Sequence, residues 1–179
     1  MDKINEMTRR GFVASALAAA VAAVLPAGSA AHIQLKKQGG DRMTTLTPYL
    51  LFDGTCRQAM EFYKTCFGGE LSMIKVGDSP VKDAMPAYQQ EKTLNARLKS
   101  GSIEISASDW LMPGRTPVRG NTVCLYLSGG TQEELKVCFE RLSEGGDVTD
   151  PLKEMFFGLY GALNDKFGVR WMFQANKGA

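Results

Sequence analysis

Histidine is all but missing. The 179 residues contain one, His32, and none lies between Met43 and Ala179. That excludes a Ser-His-Asp triad, a Cys-His dyad and a His-ligated zinc within one chain of that region. An excess of one charge is missing too: 21 Lys+Arg stand against 19 Asp+Glu, and from Met43 onward 15 basic residues face 16 acidic ones, net −1. Phosphate affinity needs clustered cations, so this balance argues against an electrostatically driven nucleic-acid binder. The four cysteines lack any C-x-x-C spacing. The apolar run Phe12–Leu25 is about 14 residues long, short of the roughly 20 that span a bilayer, so no stable membrane anchor is expected. What is there is globular: 44% apolar and 22% charged residues, without the bias of collagen, coiled coils or disulfide scaffolds. The length suits one domain, or two small modules sharing a core.

The first 31 residues read as an address. Arg9 and Arg10 follow Thr8, an Ala-rich apolar stretch comes next, and Pro26 to Ala31 supplies small residues for a peptidase. Thr-Arg-Arg-Gly-Phe-Val resembles the twin-arginine export motif, which implies a periplasmic or extracellular destination with cleavage near Ala31. Residues 32–43 are a polar linker. Met43-Thr44-Thr45 would also make a natural start, and translation from there would leave the domain cytoplasmic.

The remainder reads as one order of elements used twice. Leu46 to Phe52 is a strand. Asp53-Gly54-Thr55 is turn and cap, and Cys56 to Phe67 is a helix whose apolar residues recur at three- and four-residue steps. Gly68-Gly69 ends it. Strands follow at Glu70–Val76, Thr93–Lys99 and Ser102–Ser108, with a Pro-containing loop between the first two. After a connector, 109–120 (DWLMPGRTPVRG), the order repeats. The strand is Asn121–Leu127. A Thr131/Glu134 capping box opens a helix to Ser143, and Gly145-Gly146 closes it. A short strand at Asp147–Thr149 and a pair at Phe157–Asn164 and Val169–Gln174 complete the repeat. Phe62, Gly68, Gly69 and Glu70 overlay Phe139, Gly145, Gly146 and Asp147 at a shift of 77. The fold class is therefore α+β, two βαβββ modules (44–108 and 121–175) whose curved sheets pair around one cleft. Cys56 and Cys66 fall on one helix roughly 15 Å apart, too far to bridge, and no histidine is present to activate a thiol. All four cysteines are expected to be free and structural, Cys124 as small core filler in mid-strand.

These residues carry a resemblance. Leu46-Thr-Pro-Tyr-Leu-Leu-Phe-Asp-Gly54, Glu61-Phe-Tyr63, Phe67-Gly-Gly-Glu70, Ala107-Ser-Asp109 and Asp165-Lys-Phe-Gly-Val-Arg-Trp171 resemble the vicinal oxygen chelate superfamily of glyoxalases, bleomycin-resistance proteins and dioxygenases, and within it the PhnB-like branch. The resemblance spans roughly residues 44–175. It implies paired modules, commonly a homodimer, and a site inside the cleft. Enzymes of the superfamily usually hold a divalent metal through four His or Glu side chains. Here those positions fall at Thr47 or Pro48, at Glu104, near Thr122 and at Met172, and a histidine common on strand three of the branch is Asn95. One carboxylate does not hold such an ion, so no metal and no cofactor are expected.

The candidate cleft residues are Tyr49, Asn95, Arg97, Glu104, Ser106, Tyr126, Tyr160 and Trp171. Alternation puts Asn95 and Arg97 on one face, with Glu104 and Ser106 sharing another. Arg97 with Glu104 also reads as a plain cross-strand salt bridge, and the aromatics as core or rim. An aromatic cleft with a few polar groups suits a small planar or oxygenated ligand, and the connector from Asp109-Trp110 reads either as its lid or as an ordinary turn. The leading expectation is metal-free binding of a small molecule. The alternative is a glyoxalase-like lyase or isomerase with Glu104 as general base and Asn95 or Arg97 stabilising the developing charge. A methyltransferase is disfavoured, because no Gly-rich loop suited to a nucleotide cofactor follows a strand.

Overall fold

The computed structural model describes residues 44–176; Arg9, Arg10, the rest of segment 1–31 and the linker 32–43 lie outside the described residues. The first module comprises β1 (Tyr49–Phe52), α1 (Cys56–Phe67), β2 (Glu70–Lys75), three single 3-10 turns, β3 (Thr93–Ser100) and β4 (Ile103–Asp109). The second comprises β5 (Leu125–Ser128), α2 (Gln132–Ser143), β6 (Asp147–Met155), β7 (Gly158–Asn164) and β8 (Arg170–Asn176). The two sheets have the same order, β1-β4-β3-β2 and β5-β8-β7-β6. In each, the first strand runs parallel to the last and the other pairs are antiparallel. The duplication expected from the sequence is therefore a duplication of topology.

Each helix lies on one face of its sheet and buries a stripe of apolar side chains. In α1 the stripe is Ala59, Met60, Phe62, Tyr63 and Cys66; in α2 it is Leu135, Phe139 and Leu142. Both stripes join one core with Phe52, Leu98 and Ile105 from the first sheet and Leu163, Trp171 and Phe173 from the second. After each helix the chain turns through a glycine pressed against the far hairpin. A Cβ at Gly69 would run into the Lys99 carbonyl, and one at Gly146 would lie 2.5 Å from the Asn164 carbonyl oxygen. Only glycine fits so close a backbone approach, which explains the repeated Gly-Gly pairs.

The helix starts differ. In α2 the expected capping box forms: the Glu134 N–H donates to Thr131 Oγ1 at 3.2 Å, and the Thr131 N–H donates to Glu134 Oε2 at 2.8 Å. In α1, Thr55 offers no side-chain cap. The Cys56 N–H instead donates to Oδ1 of Asp109 at 3.0 Å, while Oδ2 accepts from the Thr93 N–H at 2.7 Å. Asp109 is 3% exposed. It belongs to β4 rather than to the connector, and it clamps helix, strand and strand end together.

Asp165, also 3% exposed, ties the modules to each other. Its Oδ2 accepts from Tyr63 Oη of α1 at 2.7 Å and from Trp171 Nε1 at 2.8 Å. Its Oδ1 accepts from the Phe167 and Val169 N–H groups, each at 2.9 Å. Burial pushes the Tyr63 phenol well above the tyrosine range, and the neighbouring Asp165 charge adds to that shift.

Three strand boundaries depart furthest from expectation. β1 begins only after Pro48, which has no N–H to give a ladder. β5 begins at Leu125, so Cys124 precedes the strand rather than sitting within it. β6 runs on to Met155 through Pro151. It is an edge strand whose register shifts just ahead of that proline and again across it, which is where a sheet tolerates one. All four cysteines are free thiols, Cys56 and Cys66 buried, Cys124 and Cys138 half-buried.

Candidate functional site

The face of each sheet turned away from its helix is open. On the first, register sets Tyr49 beside Ser106 and Ser106 beside Arg97, with Asn95 and Glu104 two residues along the same strands. The four residues that alternation assigned to two faces thus share a single one. Arg97 donates from Nε and Nη2 to Oε1 of Glu104, at 3.0 and 2.6 Å. It is a diagonal pair, since the residue directly opposite Glu104 is Lys99. With the Arg97 side chain half exposed, such a pair contributes about 0–1 kcal/mol.

On the second sheet the open face carries Tyr126, Met172, Gln174 and Tyr160. Tyr126 Oη donates to Gln174 Oε1 at 2.7 Å. Trp171 does not belong here. It is 1% exposed, packs its ring 5.5 Å from Tyr63 and 5.6 Å from Phe67, and donates to Asp165. Met172 takes the open face, so its neighbour faces the core.

The positions that would hold a metal do not fit one. Glu104 is engaged by Arg97, Met172 offers a thioether, Thr122 is exposed ahead of β5, and Thr47 and Pro48 contribute at most a hydroxyl. Hard divalent ions need several oxygen or nitrogen donors. Among the described residues no group of three His, Cys, Asp or Glu side chains is placed to bind an ion.

Concave space lies at the seam between the modules. One cavity of about 180 Å³ is bounded by Leu50 and Leu51 of β1, by Val123, Cys124 and Leu125 at the start of β5, and by Arg170. A second, of about 500 Å³, adjoins it along Leu50, Leu51 and Arg119. Its other walls are Tyr49 and the connector residues Trp110, Arg115, Thr116, Pro117 and Val118. The connector is pinned: the Trp110 N–H donates to the Phe52 carbonyl at 2.6 Å, and its indole Nε1 to the Arg115 carbonyl at 2.9 Å. Lys92 Nζ and Gln89 Nε2 hold the Trp110 and Leu111 carbonyls. Of the eight candidate cleft residues only Tyr49 lines these cavities, and the connector singled out from Asp109-Trp110 adds Trp110. Arg115, Arg119 and Arg170 were not singled out. Their signal was present as two arginines bracketing Thr-Pro-Val in the connector, and a third inside the Asp165–Trp171 motif.

Comparison with known proteins follows from this geometry. The family model described as 3-demethylubiquinone-9 3-methyltransferase matches residues 44–174. Protein YjdN of Escherichia coli (strain K12) is 30% identical over 143 residues, covering 74% of this chain and 95% of that protein. The crystal structure of PA1353 from Pseudomonas aeruginosa is 35% identical with a TM-score of 0.67, over 74% of this chain and 98% of that one. A Bacillus cereus structure described as a putative 3-demethylubiquinone-9 3-methyltransferase, PhnB protein, shares the fold at 23% identity and TM-score 0.59, covering 74% and 99% of the two chains. A glyoxylase/bleomycin resistance/dioxygenase domain from Frankia sp. EAN1pec shares it at 17% and 0.50, covering 76% and 94%.

The methyltransferase description raises the question of a nucleotide-type methyl donor. Such groups dock where a strand turns into a helix N-terminus. Here the Glu134 carboxylate occupies one of those turns and the Asp109 carboxylate the other. The residues at the two turns do not fit such a cofactor. Duplicated topology, the matching family model and relatives aligned over nearly their whole length lead to one conclusion: the chain belongs to the family described as 3-demethylubiquinone-9 3-methyltransferase, and it has the paired-module fold of the glyoxylase/bleomycin resistance/dioxygenase domains.

Proposed function

We propose that this protein binds a small molecule at the seam between its modules and holds it without a resident metal, in a sequestering or carrying role. The observation that carries the reading is the pair of adjoining cavities, walled by Tyr49, Trp110, Leu50, Leu51 and Pro117, with the connector folded on itself by the Trp110–Arg115 hydrogen bond. The larger, at about 500 Å³, falls in the range of small-molecule sites, about 300–1,000 Å³. The donor set at the aligned metal positions supports the metal-free part. Exposed Tyr49 and Tyr126, 51% and 50% accessible, and Leu51 and Ile74 leave apolar surface on the open faces. A second copy covering it is part of the same proposal, tested by light scattering.

The second reading is a lyase or isomerase with Glu104 as general base. It is favoured by one detail: Arg97 engages Oε1 alone and leaves Oε2 without a hydrogen bond among the described residues. Metal analysis together with a thermal-shift ligand panel separates the readings. Binding is expected with far less than one divalent ion per chain, and Glu104→Gln should change affinity by a few-fold at most. A stoichiometric ion lost in Glu104→Gln would overturn the metal-free reading. Turnover abolished by that substitution would establish the base.

A further inference from the structure

Three arginines line the seam cavities: Arg115 and Arg119 the larger, Arg119 and Arg170 the smaller. No Asp or Glu lines either one. None of the three arginines forms an ion pair with a carboxylate among the described residues. Buried Asp165 already spends both oxygens on Tyr63, Trp171 and two backbone N–H groups. Arg119 is held in place from two sides. Its Cζ lies 5.4 Å from the Phe52 ring centroid, and its Nη1 fills the space a Cβ at Gly168 would need, 2.8 Å away. Pro117 restricts the backbone between Arg115 and Arg119.

A set of cations with no carboxylate within ion-pair distance among the described residues, set against apolar walls, is complementary to an anion that carries an apolar body. We infer that the seam cavities form an anion subsite, in which Arg115, Arg119 and Arg170 bind the carboxylate of a small aromatic acid while Tyr49, Trp110 and the leucines cover its ring. The inference rests on the reading of the seam as a ligand site and names the ligand's chemical class. It also gives the connector a role, since the connector supplies two of the three charges.

The test uses three probes of one shape on the full chain by titration calorimetry: 2-naphthoate, neutral 2-naphthamide and cationic 2-naphthylmethylamine. Naphthoate should bind at least about tenfold more tightly than the amide, the worth of charge-assisted hydrogen bonds. Arg115→Gln, at an exposed position that leaves the core untouched, should remove most of that advantage. Arg119→Gln should do the same if it folds, and Arg57→Gln on α1 should leave it unchanged. Equal affinity for amide and naphthoate would overturn the anion subsite while leaving small-molecule binding at the seam intact. Naphthoate binding that survives both Arg115→Gln and Arg119→Gln would overturn the assignment of its residues. Failure of every probe at millimolar concentration would remove the subsite, and failure of the wider ligand panel would remove the seam as a ligand site.

Discussion

Consider removal of one oxygen atom, the hydroxyl of Tyr63. In Tyr63→Phe the ring keeps its contacts with Phe62, Phe167 and Trp171. The loss is confined to the 2.7 Å hydrogen bond that Tyr63 of the first module gives to Asp165 of the second. A buried hydrogen bond to a charged group contributes about 1.5–3 kcal/mol. For a domain of this size each kcal/mol moves the melting temperature by about 3–4 °C, so Tyr63→Phe should melt roughly 5–10 °C lower. Asp165→Asn should cost more, about 3 kcal/mol or above, because an amide N–H then faces donors. The Tyr63 hydroxyl can turn to accept, but the indole Nε1 of Trp171 can only donate. Urea unfolding followed by the fluorescence of buried Trp171 measures both variants, and their double mutant isolates the coupling. The coupling should recover most of the Tyr63→Phe cost. If Tyr63→Phe lies within about 0.5 kcal/mol of the parent with an unchanged urea slope, the two modules are not held by this carboxylate and the reasoning fails.

Asp109→Asn leaves one N–H, of Cys56 or of Thr93, facing an amide N–H, and should cost about 1–3 kcal/mol by the same urea measurement. A neutral result would mean α1 needs no cap there. The thiols predict an alkaline limb. Burial pushes Cys56 up to about 12 and Cys66 up to about 11. Unfolded thiols lose their protons near about 8.5, so stability is complete below that pH and falls as pH rises from there toward 12. A urea midpoint that stays flat from pH 8 to 11 would contradict this, as would native alkylation of Cys56 or Cys66 ahead of half-buried Cys124. Replacing Arg9 and Arg10 by lysine should retain the protein in the cytoplasm, and N-terminal sequencing of exported material should begin near residue 32. Intact protein starting at Met43 in the cytoplasm would refute export.

What could be read from the sequence was local. The limits of α1 follow from five apolar residues at helical spacing and a Gly-Gly stop. The start of α2 follows from a capping box confined to four residues. What could not be read depends on partners far along the chain. The proline inside β6 looked like a strand end until pairing made that strand an edge. The cap of α1 comes from a residue 53 positions away. Trp171 is an error with a visible remedy: Trp171, Phe173 and Ala175 alternate with Arg170, Met172 and Gln174, and aligning Met172 with the open face already turned the tryptophan inward. The Arg97–Glu104 pair was legible as a salt bridge. The seam cavities were not, because their walls come from an irregular connector whose path no periodicity encodes.

The unequal helix caps bear on the order of assembly. The later helix carries its own start signal within one turn, so it can nucleate as soon as its residues exist. The earlier helix borrows its start from β4, and contacts between distant residues form late because a long loop must close first. During synthesis, which proceeds from the N-terminus, the half made first lacks its own initiator until β4 has emerged. Pulse-labelling hydrogen exchange would then show amides of Gln132–Ser143 protected before those of Cys56–Phe67.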